Sequence, residues 1–295
     1  MSEFWCRATD DHHVLPVLLE FPAIGRLVPG PRGSASVGRM PISNAMNQQG
    51  LEVMGVLDMV EKRGGSTGFT SANAYVSLLL DIAFNLFEKS RANCRDEADA
   101  RRRLYFLHQF SDYVQEKWIN SALDSGPFVL AHGDLQKWNL IVSDDLDLLA
   151  VIDWEWAQIV PLQLFLPPLW LSGSSIWFLG YRYEKYVERL RELCSVIEEV
   201  EKERYGGEAS LSQHWTDLSE DGGILISMAL QYPPNIEEVM RGYLDVTIHR
   251  RISTRDARIQ QFIDEDLSRR DLVARKMAAW VTYDVELRRM GIKES

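Results

Sequence analysis

The sequence is poor in cysteine and in positive charge. Its three cysteines, Cys6, Cys94 and Cys194, are far apart, which argues against a disulfide scaffold and is typical of reduced thiols in a cytosolic protein. The sequence contains no Cys-x-x-Cys pair and no Cys/His cluster, the two patterns that would indicate structural zinc. The 295 residues include 32 Lys and Arg against 43 Asp and Glu, a formal net charge of −11. Such a chain lacks the broad basic surface that binds nucleic acid, although a nucleotide bound through magnesium is compatible with it.

Long apolar runs are also missing. No stretch reaches the roughly 18 apolar residues that indicate a membrane-spanning helix. The most apolar stretch, residues 159–171, is interrupted by prolines and a glutamine. The N-terminus lacks the basic start and the continuous apolar core of a signal peptide. We therefore expect a cytoplasmic protein without a membrane partner.

Apolar residues recur at helical spacing over much of the chain. The predicted helices are 49–63, 70–91, 96–121, 181–203 and 255–288. Thr70 or Ser71 can cap the helix over 70–91, and the last helix has room for one break. His108 lies on the helix over 96–121 beside two leucines, so we interpret it as a packing residue.

The periodicity changes after the turn at residues 124–127. Short apolar runs there have the length of strands. The predicted strands, which should form one small central sheet, are 128–132, 139–143 and 148–154. Residues 1–20 look irregular, and the prolines and glycines of 22–41 predict a loop or hairpin. The fold class is therefore α+β, mainly helical, around a small central β-sheet.

The densest polar cluster lies in this strand-rich centre. It occupies the run from Ala131 to Val142, A-H-G-D-L-Q-K-W-N-L-I-V, and Asp153 follows eleven residues later. Burying such groups unpaired at the ends of apolar strands would be costly. If the two segments pair as a hairpin, Asp134, Asn139 and Asp153 converge at one end. A carboxylate and an amide oxygen suit magnesium, and the other carboxylate can orient a hydroxyl and accept its proton.

These residues form two motifs, H-G-D-x-x-x-x-N and I-D-W-E, that resemble the aminoglycoside phosphotransferase/choline kinase-like family of the protein-kinase-like fold. The resemblance implies that Asp134 is the catalytic base and that Asn139 and Asp153 hold magnesium on ATP. It also implies that His132 supports the catalytic loop. Glu155 would contact a second metal ion or the substrate.

The resemblance covers roughly residues 20–290, most closely 128–171. We expect residues 21–290 to form the C-terminal lobe of a kinase-like fold, with the motifs in 128–156. Residues 1–20 would be an irregular N-terminal remnant. The stretches 21–27 and 167–171 look like a fungal branch of the family. The implied cofactors are ATP and Mg²⁺. The implied partner is a small molecule with a hydroxyl group, whose identity the sequence does not reveal.

The N-terminal lobe of a kinase-like fold supplies a loop over the phosphates, a strand lysine and a helix glutamate. We find none of these three before residue 128. The glycine-rich run 30–38 is interpreted as a turn between short strands, and Lys62 as the cation at a helix end. We therefore expect a truncated gene product, or an incomplete gene model, of a kinase-like protein, and we expect this chain to lack measurable turnover by itself.

Two functions stay open at this point. The first is an ATP- and magnesium-dependent phosphotransferase, which the motif residues favour. The second is a non-catalytic, pseudokinase-like binding module, which the missing phosphate-clamping lobe favours. An aromatic cluster is interpreted as core packing, although it could instead wall a substrate pocket; its members are Trp170, Trp177, Phe178, Tyr181 and Tyr183.

Overall fold

A computed structural model describes residues 19–30, 34–38, 68–145, 147–173, 179–206, 211–249 and 254–292. The strands are β1 (Glu20–Phe21), β2 (Gly25–Pro29), β3 (Ala35–Gly38), β4 (Phe128–Ala131), β5 (Leu140–Val142), β6 (Leu148–Val151) and β7 (Gln158–Pro161). The helices are α1 (Ala72–Lys89), α2 (Glu97–Tyr113), α3 (Tyr183–Tyr205), α4 (Leu211–Glu220), α5 (Gly223–Gln231), α6 (Ile236–Val239), α7 (Asp245–His249), α8 (Arg255–Asp264) and α9 (Leu267–Arg289). The protein is thus mainly helical α+β, as predicted.

Some of the predictions concern residues outside these ranges. The predicted helix over 49–63, most of the irregular segment 1–20, and the aromatic residues Trp177 and Phe178 lie outside the described residues. Within the described residues, no helix is both long enough and apolar enough to cross a membrane.

The long helices begin and end close to where the sequence places them. Ser71 caps α1 by accepting a hydrogen bond from the Ala74 N–H at 3.1 Å, and Asp124 accepts a further bond from the Ser71 hydroxyl at 2.7 Å. The predicted break in 255–288 is also confirmed, because α8 ends at Asp264 and Asp266 caps α9. The helix over 96–121 is shorter than predicted, since α2 passes into a wider turn at Val114–Trp118.

The sheet differs from the prediction. Strands β1-β4-β7-β2-β3 form one antiparallel sheet in that order, whereas β5 and β6 pair with each other in a separate hairpin. The prediction that 128–132, 139–143 and 148–154 form one sheet is therefore wrong. The place beside β4 is taken by β7, whose four residues are all buried. A fully buried strand shows no polar alternation, so its apolar run carried no strand period.

Strands β2 and β3 confirm the hairpin expected near residues 22–41. They pair from Arg26↔Gly38 to Pro29↔Ala35, and the Gly30 N–H donates to the Ser34 carbonyl at 2.6 Å. Strand β2 also pairs with β7, at Arg26↔Gln158, and β7 pairs with β4, at Ala131↔Gln158. Paired residues therefore form one row across the sheet, from Gly38 through Arg26 and Gln158 to Ala131. Ala131 is the last residue of β4 and directly precedes His132.

The core lies between the helices and the large sheet. Helix α5 is at its centre, and Ile224, Leu225, Ile226 and Met228 are 0% exposed. Helices α1 and α4 pack against it, α2 adds its apolar face to the same core, and β4 and β7 contribute Val129 and Ile159. This helical core, which we call the body, supports the end of β4, from which the polar loop emerges.

Candidate functional site

Two chain segments meet at one end of the β5–β6 hairpin. Strand β5 follows a short turn at Lys137–Asn139, and β6 leads through Ile152 to Asp153. The strands are antiparallel, with Leu140 opposite Val151, and the Ile152 N–H donates to the Asn139 carbonyl at 3.0 Å. The backbone pairing therefore places Asn139 opposite Ile152, the residue that directly precedes Asp153.

Asn139 holds the loop that carries Asp134. Its side chain is 5% exposed, and Nδ2 donates to the Asp134 carbonyl oxygen at 2.8 Å and lies 3.4 Å from Asp134 Oδ2. The Gln136 N–H donates to the same carbonyl at 2.9 Å. Because the amide nitrogen is directed at Asp134, Oδ1 is the atom of Asn139 that has the chemistry of a metal ligand.

His132 ties the two segments together. It is buried, and its Nε2 lies 2.8 Å from the Ile152 carbonyl oxygen while Nδ1 accepts from the Asp134 N–H at 3.3 Å. A carbonyl only accepts, so Nε2 carries the proton. The imidazole ring also lies 4.6 Å from the Trp154 ring, between centroids. These contacts fix the loop to the turn that follows β6.

The backbone of both segments takes unusual conformations. Gly133 has φ +81°, and a Cβ added there would lie 2.1 Å from the Trp156 carbonyl oxygen, so any side chain would push the two segments apart. Asp153 is left-handed at φ 67° and ψ 49°, a conformation that aspartate tolerates better than most residues. The following turn, Trp154–Trp156, is closed by the Ala157 N–H on the Trp154 carbonyl at 3.0 Å.

The predicted site residues therefore fall into two groups. His132 and Asn139 each form a hydrogen bond with Asp134, whereas the side chains of Asp153 and Glu155 are exposed on the adjoining turn. Within the described residues, the Asp153 carboxylate has no hydrogen bond or ion pair, and no group of three or more His, Cys, Asp or Glu could hold a metal ion. A metal ion at this place would therefore have few protein ligands. That Asp134, Asn139 and Asp153 face one shared cleft stays a prediction.

Sequence reasoning missed one residue that holds the loop. Trp170, interpreted as core packing, is half-buried and donates from Nε1 to the Leu135 carbonyl at 2.8 Å. That contact corrects the interpretation, because Trp170 fixes the backbone immediately after Asp134. The sequence offered only the run Pro167-Pro168-Leu169-Trp170 as a signal, and nothing in it points to residue 135.

Tyr232, after α5, is the second residue that the sequence did not reveal. Burial, together with the nearby charge of Asp134, raises the pKa of its phenol above the ordinary value. Tyr232 is therefore a neutral hydroxyl at physiological pH, close enough to Asp134 to feel its charge. Proximity between two segments so distant in sequence leaves no local periodic signal.

Comparison with known families bears on the residues of the two motifs. Residues 77–163 match the model of a phosphotransferase enzyme family. The match runs from α1 through β7 and includes all five predicted site residues. Among curated proteins and among solved structures, none matches the chain. The match supports phosphotransferase chemistry in general, on the same segment that carries the two motifs.

Proposed function

We propose that this chain carries the centre of an ATP- and Mg²⁺-dependent phosphotransferase that acts on the hydroxyl group of a small molecule. The observation that carries the proposal is the bonded unit of His132, Asp134 and Asn139 beside the turn of Asp153, inside the segment that matches the family. An aspartate, an asparagine five residues later and a second aspartate are the residues that phosphoryl transfer uses for positioning and metal binding.

Asp134 is suited to position the acceptor. Its main-chain carbonyl is held by Asn139 and Gln136, and its main-chain N–H by His132. The side chain is half-buried, which leaves part of the carboxylate accessible to a substrate. We assign Asp134 the role of accepting a hydrogen bond from the acceptor hydroxyl and then its proton.

The side chains fit a magnesium ion by their chemistry. Asn139 Oδ1 and the Asp153 carboxylate are hard oxygen donors, and Glu155 follows on the same exposed turn. Magnesium is commonly held by one or two carboxylates, together with water and phosphate oxygens, so a small protein ligand set suits it. When bound, the ion would neutralise charge on the phosphates of ATP.

A non-catalytic binding module is the second candidate. Phosphate-clamping kinases pair a strand lysine with a helix glutamate. Among the described residues the lysine–glutamate ion pair is Lys202–Glu198, which lies within α3. The part of the chain that the structure describes thus offers no clamp of that kind, and a module that binds nucleotide without transfer is compatible with this arrangement.

Calorimetry with Mg-ATP separates these possibilities. Asp153→Asn should weaken metal-dependent ATP binding at least ten-fold, whereas Asp134→Asn should leave binding nearly unchanged. Asp147→Asn, an exposed aspartate at the hairpin tip, is the matched control and should change nothing. Equal losses in the two site variants would contradict the assigned roles.

Transfer is measured with radiolabelled ATP and a panel of alcohols, sugars and amino alcohols. If the wild-type chain phosphorylates a member of the panel, Asp134→Asn should lower the rate by about 10²–10⁴-fold, the usual contribution of a positioned general base. Metal-dependent binding without transfer would favour the binding module. Absence of any metal-dependent nucleotide binding would refute both.

A further inference from the structure

A cavity in the helical body is built by other segments than the two motifs. It has a volume of about 440 Å³, within the range of small-molecule sites, and its lining residues come from 95–103, 181 and 234–241. We call it the polar cavity, because four arginines and four carboxylates line it. Charges of both signs in equal number favour a ligand that itself carries both charges.

One buried residue of the polar cavity lacks hydrogen-bond partners for its side chain. Asn235 is 1% exposed, and within the described residues neither Nδ2 nor Oδ1 has a partner. It stands at the N-cap position of α6, yet its side chain makes no capping hydrogen bond. Buried polar groups are nearly always paired, so an unpaired amide calls for an explanation. Because Asn235 lines the cavity, a bound molecule can supply an acceptor for Nδ2 and a donor for Oδ1.

Four of the charged groups form a closed network that fixes one wall of the cavity. Asp99 accepts from both Arg102 and Arg103, and Glu237 accepts from the same two arginines at 2.9 and 2.7 Å. The network joins α2 to α6. These four side chains are therefore held in place before any ligand binds.

The other four charged groups are available to a ligand. Arg95 is exposed, and its guanidinium forms no ion pair with any described residue, while Arg241 lies 3.8 Å from Glu237, longer than a hydrogen bond. Asp96 and Glu238 accept hydrogen bonds from backbone N–H groups, which leaves lone pairs on each carboxylate. Guanidinium groups bind a ligand carboxylate, and carboxylates bind a ligand ammonium group.

A smaller, apolar cavity adjoins the polar cavity. It measures about 140 Å³ and shares Arg103, Pro234 and Glu237 with the polar cavity. Most of its remaining lining is apolar and includes Phe87 and Leu107. An apolar cavity of roughly 150 Å³ holds a benzene-sized group. A ligand whose charged end lies in the polar cavity can therefore place one apolar side chain here.

We propose that the two cavities together bind a free α-amino acid with an apolar side chain. Asn235 binds its carboxylate through Nδ2 and its ammonium group through Oδ1, because these two groups are neighbours in the ligand as the two amide atoms are in asparagine. Arg95 and Arg241 neutralise the carboxylate, and Asp96 and Glu238 the ammonium group. The apolar side chain enters the smaller cavity. This site does not depend on the proposed phosphoryl transfer.

Calorimetry of the whole chain with L-leucine and L-phenylalanine tests the ligand class. At least one of the two should bind saturably. Isocaproate, which is leucine without its ammonium group, and isoamylamine, which is leucine without its carboxylate, should each bind at least ten-fold more weakly than leucine. L-aspartate should also bind at least ten-fold more weakly, because a charged side chain does not suit the apolar cavity. Absence of binding by both amino acids, or isocaproate that binds as well as leucine, would overturn the proposal.

Two variants test the residues of the site. Asn235→Leu removes both amide groups at similar volume and should weaken amino-acid binding at least ten-fold. Its thermal unfolding midpoint should not fall, because no side-chain hydrogen bond is lost. Arg95→Gln should also weaken binding and keeps the test decisive if Asn235→Leu does not fold. Undiminished binding in Arg95→Gln, or in folded Asn235→Leu, would refute the assignment.

Two further variants serve as controls. Arg204→Gln changes another exposed arginine, on α3, that forms no ion pair with any described residue, and it should leave binding unchanged. Asp134→Asn should also leave amino-acid binding unchanged, because Asp134 does not line either cavity. A loss of binding in Asp134→Asn would place the amino acid in the candidate phosphotransfer site and would contradict a separate site. An equal loss in Arg204→Gln and Arg95→Gln would reduce the effect to general charge.

Discussion

The helical body and the site loop are held by different interactions. In the body, whole helix faces are buried, and Ile224, Ile226 and Met228 of α5 are 0% exposed. In the described part of 132–156, the two buried side chains are His132 and Asn139, both polar. Apolar burial therefore stabilises the body, while a few hydrogen bonds and close backbone contacts shape the loop.

This difference separates stability from chemistry along the chain. A substitution in the body should change the free energy of unfolding and leave the loop geometry intact. A substitution in the loop should displace Asp134 or Asn139 at little cost to the global fold, since few apolar contacts are lost there. Loops that carry function on a rigid support are expected to behave in this way.

The largest effect is expected inside the body, at Asp245. Its carboxylate is fully buried and accepts from Arg255 Nε at 2.7 Å and from Arg258 at 2.9 Å, while Arg258 Nε contacts the Tyr105 hydroxyl at 3.1 Å. Asp245→Asn leaves two arginines without their counter-charge, so urea unfolding should show a loss of about 3–5 kcal/mol.

An exposed ion pair provides the control for Asp245. Glu198→Gln removes a partner of Lys202 on the surface of α3 and should change the free energy of unfolding by no more than about 1 kcal/mol. Similar losses in the two variants would show that burial of the charge is not what matters. Metal-dependent nucleotide binding, where the wild type shows it, should persist in folded Asp245→Asn.

A smaller and more local effect is expected at Gly133. Gly133→Ala adds a methyl group where a Cβ lies 2.1 Å from the Trp156 carbonyl oxygen, at a positive φ. Gly173→Ala is the control, because Gly173 also has positive φ, +67°, but its Cβ would meet nothing within 4 Å. Backbone strain should lower the free energy of unfolding of both variants by about 1 kcal/mol. For Gly133→Ala the clash with the Trp156 carbonyl adds to this, so the total loss should be about 1–3 kcal/mol and larger than that of the control.

Hydrogen exchange locates the damage. In Gly133→Ala the amides of Asp134, Asn139 and Ile152 should exchange faster, because the bonds between the loop and the turn are stretched. Amides of α5 should keep their protection relative to the global stability. Faster exchange throughout α5 beyond that expectation would mean that the loop and the body are one cooperative unit.

The same division explains what the sequence could predict. The capped start of α1 at Ser71 and the break before Asp266 follow from local signals, and so does the approach of Asn139 to Asp134 at a spacing of five residues. The pairing of β7 with β4 does not, because it is set by long-range register between Ala131 and Gln158. The contact of Trp170 with Leu135 likewise depends on how distant segments pack.

The smallest effect concerns pH and the body alone. His108 packs between the rings of Phe84, at 5.0 Å, and Phe262, at 5.1 Å, as its predicted packing role requires. Burial, followed by the charge of Arg269, lowers the pKa of His108 below its ordinary value of 6.5. The unfolded chain therefore binds the proton more readily, and the contribution of His108 to stability is complete above pH 6.5 and is lost as the pH falls toward the folded pKa.

His108→Phe should therefore flatten the loss of stability in acid. A single proton accounts for at most about 1.4 kcal/mol per pH unit, so below pH 6.5 the variant's unfolding free energy should fall less steeply than that of the wild type by a fraction of that slope. His214 and His249, whose pKa values burial also lowers, remain in the variant and preserve part of the dependence. Urea unfolding at pH 7.5, 6.5 and 5.5 measures the difference. An unchanged slope would mean that His108 takes up its proton equally well in the folded body and in the unfolded chain.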